Sequence, residues 1–411
     1  MTENIIKNAK EALKKQFEET ERVALYNQKK VLDAFNAERI ALRHFAPTTG
    51  YGYDSDGRDA LNRVYARAFG AEKAVVSPYI ASGTVALSLG LFSVLMPGDT
   101  FVSATGEPYD TLIDVIKGEN IGSLKDYGIN FHSIPLLNGK IDVEKVLDYV
   151  KQNKPKMVYF QRSRGYDWRP SFSVYEMGEV FAKLRENGFD GIIFVDNCYG
   201  EFVETDEPVA VGADLMAGSL IKNAGGGLAP TGGYVAGKAK YIKFVENRLT
   251  APSVGGEVGS YAFTYQYFYQ GLFMAPHTVK QAIDGNLLMG EVLSSLGYKT
   301  MPVRGELPKD ITRSVKFSNE KELVSFIQSV QEVSPIDSFV TLEAWDMPGY
   351  DHKVIMAAGC FVQGSSIELS ADAPIKEPYI AYVQGGLTFE HCVIAIEKIV
   401  EKLLVANKSG K

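Results

Sequence analysis

The sequence contains few of the residues from which metal sites and disulfide frameworks are built. Its three cysteines, Cys198, Cys360 and Cys392, are scattered and form no C-x-x-C pair. The five histidines are also dispersed, with no H-x-x-x-H spacing. This pattern argues against a structural zinc site and against disulfides, so we expect no metal and a reducing compartment.

The chain also lacks an excess of positive charge and a long apolar run. Its formal net charge of −7 argues against nucleic-acid and membrane-surface partners, because both present anionic groups. No apolar run reaches the ~18 residues of a membrane span, and charges interrupt every apolar stretch near the N-terminus. We therefore expect a cytoplasmic protein with a small-molecule substrate, without a membrane span or a signal peptide.

The sequence does contain an alternation of strand-like and helical patterns between about residues 75 and 237. Apolar runs, mostly bounded by Gly, Pro, Asn or Asp, predict strands over 100–105, 129–136, 156–163, 191–198 and 213–220. Helices are predicted over 84–96 and from about Asp59. This alternation predicts an α/β fold with a mostly parallel sheet that helices cover on both faces.

The pattern changes on either side of this region. Residues 3–43 read as amphipathic helices. After about residue 296, closely spaced strands flank a helix near 320–333, and a long helix begins at Thr388. The strands are predicted over 313–319, 338–345, 353–360, 365–371 and 379–386. We predict an N-terminal helical arm over 1–60, a large domain over 61–295 and a smaller α+β domain over 296–411.

One lysine follows a predicted strand end within a glycine-rich stretch, residues 214–237. Lys222 comes directly after "GSLI", where open α/β sheets place ligands. A desolvated lysine there could form a Schiff base, although many such lysines only extend to solvent. The nearby "GGYVAGK" fails as a phosphate loop, because Ala239 stands where Ser or Thr is required.

Three other segments supply groups that complement such a lysine. Asp196 ends the strand 191–195 and is either a turn residue or a carboxylate that faces a protonated ring nitrogen. Ser82, Gly83 and Thr84 begin a helix, which makes them either an N-cap or a phosphate site. Tyr109 follows another strand end and is either a loop residue or a ring that stacks on a flat ligand.

The order of these groups along the chain predicts the ligand. A phosphate site, a flat aromatic ring, a carboxylate at a strand end and a serine three residues before a lysine occur in sequence. A pyridine ring that bears a phosphate and an aldehyde needs all four. The cofactor implied is pyridoxal 5′-phosphate, with Lys222 as its covalent anchor.

The segments "FVDNCYGEF" and "GSLIKN" resemble the fold-type I pyridoxal-phosphate enzymes, and more narrowly the cystathionine and methionine lyases. The segments "TTGYGYDSDGRD", "QRSRGYDWRP" and "YVQGGLTFEH" are similar to the methionine γ-lyase-like, or aluminium-resistance, proteins. The resemblance implies an aspartate aminotransferase-like fold. It also implies that Lys222 moves the substrate α-proton, Asp196 pairs with the pyridine nitrogen, Tyr109 stacks on the ring, and Ser82, Gly83, Thr84 and Ser219 bind the phosphate.

The resemblance further implies that two subunits share each site. Tyr51, Tyr53 and Arg58 match a segment that reaches the phosphate of the neighbouring subunit, so a homodimer, and from it a homotetramer, is expected. The chain departs from the commoner lyases at Ile221, which replaces a threonine, and at the position of the arginine that binds the substrate carboxylate. Lys376 stands near that position, and the sequence leaves several arginines as alternatives: Arg162, Arg164, Arg169 and Arg313.

The reaction expected is carbon–sulfur lysis of a small sulfur amino acid by α-proton abstraction and β- or γ-elimination. We expect Lys222 to be near neutral when desolvated, which suits a base. Two alternatives stay open at this point: an aminotransferase or related amino-acid enzyme, and a cofactor-binding stress or metal-resistance protein with low turnover. The aromatic segment 261–273 could line the substrate pocket, form a dimer contact or pack as a buried helix.

Overall fold

Two β-sheets organise the chain, and the larger one matches the parallel sheet predicted from the sequence. The computed structural model describes residues 2–347 and 352–409. Seven strands pair in the order β1-β7-β6-β5-β4-β2-β3. Strand β7 is antiparallel to both of its neighbours, and the other pairs are parallel. The strands are β1 (Lys73–Ser77), β2 (Thr100–Ser103), β3 (Asn130–Ser133), β4 (Met157–Gln161), β5 (Ile192–Asp196), β6 (Leu215–Ser219) and β7 (Gly233–Gly237).

Helices cover this sheet on both faces. Alternate residues of β5 belong to two different apolar clusters, with Ile193 and Val195 in one and Phe194 in the other. A strand buried on both faces needs apolar residues throughout, which explains the continuous run in the sequence. The helices of this region are α3 (Asp56–Phe69), α4 (Gly83–Val94), α5 (Asp110–Lys117), α6 (Val143–Asn153), α7 (Val174–Glu186) and α8 (Ala239–Leu249).

The N-terminal helices pack against the longest helix of the chain that the structure describes. Helices α1 (Thr2–Ala12) and α2 (Lys14–Ala37) pack against α9 (Gln266–Ser295). The aromatic segment 261–273 enters α9, and Tyr265, Phe268 and Tyr269 are buried there. Helix packing therefore accounts for these side chains. None of the described helices is both long enough and apolar enough to cross a membrane.

The second sheet is smaller and antiparallel throughout. Its five strands pair in the order β10-β11-β12-β9-β8, and helices α10 (Glu320–Glu332) and α11 (Phe389–Ser409) accompany them. The strands are β8 (Lys299–Met301), β9 (Thr312–Lys316), β10 (Val354–Ala357), β11 (Ser370–Pro374) and β12 (Ile380–Gln384). This arrangement matches the α+β pattern expected after residue 296, while the domain boundaries stay predictions.

Two strand predictions in this region are wrong. Residues 338–345 form no strand, and only Trp345 makes an isolated bridge, to Val354. Phe339 is 85% exposed, so the segment has no buried face that would hold it against a sheet. The strand predicted over 365–371 begins only at Ser370. Ile367 is buried but belongs to no strand. An apolar run indicates that a segment is buried, but it does not indicate whether its backbone pairs in a sheet, which explains the wrong prediction.

Candidate active site

A cavity of about 420 Å³ lies between the ends of the large-sheet strands and the small sheet. Its lining includes the residues at which β4 and β5 end, Gln161 and Asp196, and the loop that follows β6. The carboxyl ends of parallel strands meet at one edge of a sheet, which brings these residues together. The small sheet contributes the facing wall through β11 and β12. The size suits a small organic ligand.

Lys222 extends into this cavity three residues beyond Ser219, the last residue of β6. Its Nζ lies 4.0 Å from the centroid of the Tyr199 ring, a cation–π contact. Burial lowers the pKa of the Lys222 ammonium, but the surrounding side chains raise it by more. The pKa of Lys222 therefore lies well above its usual value. The side chains that raise it are those of Cys198, Tyr199, Tyr109 and Asp196. The near-neutral lysine expected from the sequence is therefore wrong for the chain without a ligand.

Asp196 faces the same cavity from the last position of β5. The residue is 1% exposed, and one carboxylate oxygen accepts a hydrogen bond from the backbone N–H of Cys198 at 3.0 Å. Burial raises the pKa of Asp196, while the Lys222 ammonium and the contacts with Cys198 lower it. A buried carboxylate of this kind is stabilised by a cation on the ligand side.

The start of α4 and the end of β6 form a site suited to an anion. Ser82 caps the helix, and its hydroxyl accepts from the N–H of Val85 at 3.1 Å. A Cβ on Gly83 would lie 2.9 Å from Cys198 Sγ and 3.6 Å from Lys222 Nζ, so only glycine lets the backbone approach this closely. The free N–H groups of the first turn and the helix dipole favour a phosphate here.

Hydroxyl groups complete this part of the cavity. Thr84 Oγ1 lies 2.9 Å from the hydroxyl of Tyr109 and 3.2 Å from that of Thr111. The N–H of Tyr109 donates to Gln161 Oε1 at 2.9 Å, which fixes the start of α5 beside β4. Burial raises the pKa of the Tyr109 phenol, so it stays neutral and can donate a hydrogen bond. Ser219, the last residue of β6, also lines the cavity.

The structure thus brings together seven residues that the sequence predicted for one site. They line a single cavity: Ser82, Gly83, Thr84, Tyr109, Asp196, Ser219 and Lys222. Their arrangement fits pyridoxal phosphate in each part, with an amine for the aldehyde, a carboxylate for the ring nitrogen and a helix N-terminus for the phosphate. The individual roles stay predictions.

The arginines suggested as partners of the substrate carboxylate do not reach the cavity. Arg162 is fully buried and donates to Phe172 O, Asn197 Oδ1 and Gly200 O, with an ion pair to Glu204 at 2.7 Å. All of its donors are therefore used for structural contacts. The prediction for Arg162 is wrong.

The other predicted carboxylate partners also lie outside the cavity lining. Arg164 is buried, donates to Met301 O at 2.6 Å and lies 3.7 Å from Asp310. Arg313 is buried and donates to backbone oxygens at Asn286 and Pro302. Arg169 donates to the carbonyl of Pro170. Lys376 is exposed, and none of these side chains lines the cavity.

The segment predicted to serve a neighbouring subunit lies outside the cavity of its own chain. Tyr51 and Tyr53 are 71% and 62% exposed, and their rings lie 5.4 Å apart. Arg58 donates to the carbonyls of Gly52 and Gly259. Exposed aromatic side chains in this position are available to a second chain, and the shared site stays a prediction.

Sequence reasoning missed several residues of the cavity wall. Cys198 and Tyr199 lie two and three residues after Asp196, and Gln161 ends the neighbouring strand, so their positions at or just beyond strand ends could have signalled them. Tyr199 adopts a left-handed backbone conformation at φ 71°, which turns its ring beneath Lys222. Asp372 lies within β11, where the sequence alone gives no indication of which face meets the cavity.

Comparison with known proteins identifies the family. The methionine gamma-lyase family matches the chain over residues 2–404. The chain belongs to this family. The uncharacterized protein YnbB of Bacillus subtilis strain 168 is 48% identical over 388 residues, which cover 93% of this chain and 92% of that protein. The resemblance inferred from the sequence motifs is confirmed.

Solved structures give the same result. A carbon-sulfur lyase involved in aluminum resistance from Clostridium novyi NT is 46% identical, with a TM-score of 0.94, and the match covers 98% of this chain and 96% of that chain. The pyridoxal-5′-phosphate-dependent protein YhfS of Escherichia coli is 17% identical, with a TM-score of 0.64 and coverages of 93% and 96%. This distant likeness shows the fold, and the predicted fold type I architecture is confirmed.

Proposed function

We propose that this chain is a pyridoxal-phosphate-dependent carbon–sulfur lyase that acts on a small sulfur-containing amino acid. The observation that carries the proposal is the convergence of Lys222, Asp196 and the first turn of α4 on one cavity. Membership of the methionine gamma-lyase family supports it, as does the relative described as a carbon-sulfur lyase involved in aluminum resistance. The reaction would remove the α-proton and then eliminate the sulfur group from the β- or γ-carbon.

Each part of the cavity would hold one part of the cofactor. Lys222 would be the covalent anchor, and Asp196 would face the ring nitrogen and keep it protonated. The phosphate would bind at Ser82, Gly83, Thr84 and Ser219. Pyridoxal phosphate would supply an electron sink for the negative charge that remains on the substrate after the α-proton leaves.

Lys222 would also carry the α-proton. The side chains that raise its pKa favour a proton on Nζ, so the free amine is a strong acceptor for a proton released in its reach. The Tyr199 ring, 4.0 Å away, restricts where that ammonium can lie. Because a raised pKa keeps Nζ protonated at neutral pH, the role of Lys222 as a base stays a prediction.

Two features suit Asp196 for pairing with the ring nitrogen: its burial and its small number of hydrogen-bond partners. Among the described residues, no lysine or arginine lies within ion-pairing distance of its carboxylate, which accepts hydrogen bonds from the backbone N–H and from the side chain of Cys198. A protonated ring nitrogen would therefore be its natural partner. Because water is excluded at 1% exposure, the pairing would act at low dielectric and hold the ring cationic.

We also propose a homodimer with shared active sites, which could pair further into a tetramer. Lys222 is the only lysine or arginine among the described residues that line the cavity. A phosphate and a substrate carboxylate together bring more negative charge than one chain balances there. Tyr51 and Tyr53 are exposed and offer an aromatic surface to a second chain, and Arg58, whose side chain is 12% exposed and pairs with Asp59, would supply the cation.

Replacement of the anchor tests the proposal. Purified protein should show an absorbance band at the violet edge of the visible range, and Lys222→Ala should lose covalently held cofactor. Lys238→Ala is the matched control, because Lys238 lies in the same stretch but pairs with Asp214 at 2.6 Å outside the cavity. Full retention of covalent cofactor in Lys222→Ala would contradict the assignment.

Product analysis then separates elimination from the alternatives. The wild-type protein should release a keto acid and ammonia from at least one of cysteine, cystathionine and methionine without an amino acceptor. Keto acid formation only in the presence of an acceptor would indicate an aminotransferase. A protein that binds the cofactor but exchanges no α-proton in deuterated water with any amino acid would not be an enzyme of this class.

A further inference from the structure

The small sheet supplies one charged group to the wall of the cavity. The other polar lining residues of the small sheet and of the loop before β11 are neutral: Thr312, Ser365, Ser366, Ser370, Tyr382 and Gln384. Asp372, in the middle of β11, is the charged one. Lys222, the only lysine or arginine in the described lining, belongs to the large-sheet side. The small-sheet wall is therefore anionic at the place where an arginine for a carboxylate was expected.

Two neutral groups hold the Asp372 carboxylate in place. Gln384 Nε2 donates to Oδ2 at 3.1 Å, and the side chain of Tyr166 also forms a hydrogen bond with Asp372. Burial raises the pKa of Asp372 to about 6, while these hydrogen bonds and the charge of Lys222 lower it. At neutral pH the carboxylate is mostly ionised. In the part of the chain that the structure describes, no lysine or arginine pairs with it at salt-bridge distance.

An ionised carboxylate beside a partly desolvated cavity costs free energy unless a cation meets it. In the proposed reaction the α-amino group of the substrate is engaged at the Lys222 side. A cation on another part of the substrate would pair with Asp372, while the Arg58 cation proposed for the second chain would serve the phosphate. Methionine and other amino acids with neutral side chains would leave this carboxylate unpaired.

We propose that Asp372 binds a second, distal ammonium group of the substrate, so that the preferred substrates are thioether amino acids with an amino group at the far end of the side chain. This inference rests on the proposed function, because it places the reacting end of the substrate at Lys222. Gln384 and Tyr166 are positioning residues that orient the carboxylate toward the cavity.

A pair of unreactive ligands tests the recognition step alone. L-lysine and L-norleucine have the same chain length, differ in the distal ammonium, and carry no sulfur leaving group. Calorimetric titration of the cofactor-loaded protein should show that lysine binds about tenfold more tightly or better. In Asp372→Asn the preference should fall to about one, because the isosteric amide keeps an acceptor for Gln384 but loses the charge.

The matched control is Glu377→Gln, which removes a carboxylate from the exposed turn after the same strand. It should keep the wild-type preference. Equal binding of the two ligands by the wild type would overturn the proposal, as would an unchanged preference in Asp372→Asn. An equal loss of affinity for both ligands in Asp372→Asn would also overturn it, because it would indicate a general structural role.

A reactive pair separates this inference from the proposed function. S-(2-aminoethyl)-L-cysteine should exceed S-propyl-L-cysteine in kcat/KM for keto acid release, and Asp372→Asn should remove the difference. If neither substrate releases keto acid but lysine still binds more tightly than norleucine, the result contradicts the proposed lyase function and supports the proposed role of Asp372. If both substrates react equally and lysine binds no more tightly than norleucine, the result contradicts the proposed role of Asp372 and supports the proposed lyase function. A uniform fall in kcat for both substrates would overturn the proposal, because the effect would not depend on the distal ammonium.

Discussion

A methyl group on Gly83 would test the proposed phosphate site at the start of α4. A Cβ there would lie 2.9 Å from Cys198 Sγ, 3.6 Å from Lys222 Nζ and 3.8 Å from Ser219 Cβ. Gly83 is the first residue of the helix and has no positive φ, so alanine would not strain the backbone. The effect of Gly83→Ala would therefore come from these contacts.

The distances give the expected size of the effect on folding. Non-bonded carbon contacts are optimal at about 3.5–4.0 Å, so the methyl group and Cys198 must separate by about 0.6 Å or more. Overpacking of this kind costs ~1–3 kcal/mol, and the better helix propensity of alanine returns up to ~1 kcal/mol. We expect a net loss of roughly 0–3 kcal/mol in the free energy of unfolding, which leaves the protein folded.

The effect on the cofactor should be the larger one. The methyl group would occupy space between Lys222 and Ser219, where the proposed cofactor binds, and would shield N–H groups of the first turn. We expect the Kd of pyridoxal phosphate to rise about tenfold or more, which corresponds to about 1.4 kcal/mol. Titration of the cofactor-free protein, followed by absorbance, measures this directly.

The same helix offers a control. A Cβ on Gly90 would lie 2.6 Å from the Phe194 ring, and Gly90 does not line the cavity. Gly90→Ala should therefore lower stability without weakening cofactor binding. Unchanged cofactor affinity in Gly83→Ala, or equal weakening in both variants, would refute the placement of the phosphate at the start of α4.

Two further predictions concern the subunit interface and a buried acid. Co-expression of Lys222→Ala with Arg58→Ala should restore roughly a quarter of the wild-type activity, because half of the dimers are mixed and each has one intact site. Activity no higher than that of either variant alone would contradict shared sites. Burial raises the pKa of Glu201 from 4.5 to about 8, so between these pH values the folded chain keeps a proton that the unfolded chain has lost. The free energy of unfolding should therefore fall as pH rises from about 5 to about 8, and Glu201→Gln should flatten this slope in denaturant melts. Equal slopes in the two proteins would contradict the assigned pKa.

The large-sheet side of the site could be predicted because strand ends are visible in the sequence. A charged residue follows each of two apolar runs: Asp196 follows one, and Lys222 follows "GSLI". Parallel strands bring such ends to the same edge, so their proximity follows from topology. The helix N-cap at Ser82 is equally local, since its hydroxyl bonds to Val85 three residues on.

The substrate side could not be predicted in this way. Arg162 also follows a strand end, but Asn197, Gly200 and Glu204, distant in sequence, take up its donors. Whether an arginine forms structural hydrogen bonds or can bind a substrate depends on contacts that arise only when the chain is folded. The direction of the Lys222 pKa shift could not be predicted either, because the side chains that surround its amine come together only in the folded chain.

The two walls of the cavity differ in chemistry, and the difference has a consequence for how the site can change. The large-sheet wall carries the amine, the carboxylate at the ring nitrogen and the helix N-terminus, all of which the cofactor would need. The small-sheet wall carries hydroxyls, an amide and Asp372, none of which lies at the start of α4 or at the end of β5. Because the walls belong to separate sheets, substitutions on the small sheet can alter which side chain is accepted while cofactor affinity stays constant. Asp372→Asn should therefore leave the Kd of pyridoxal phosphate within about twofold of the wild type, and a large rise in that Kd would show that the two walls are not independent.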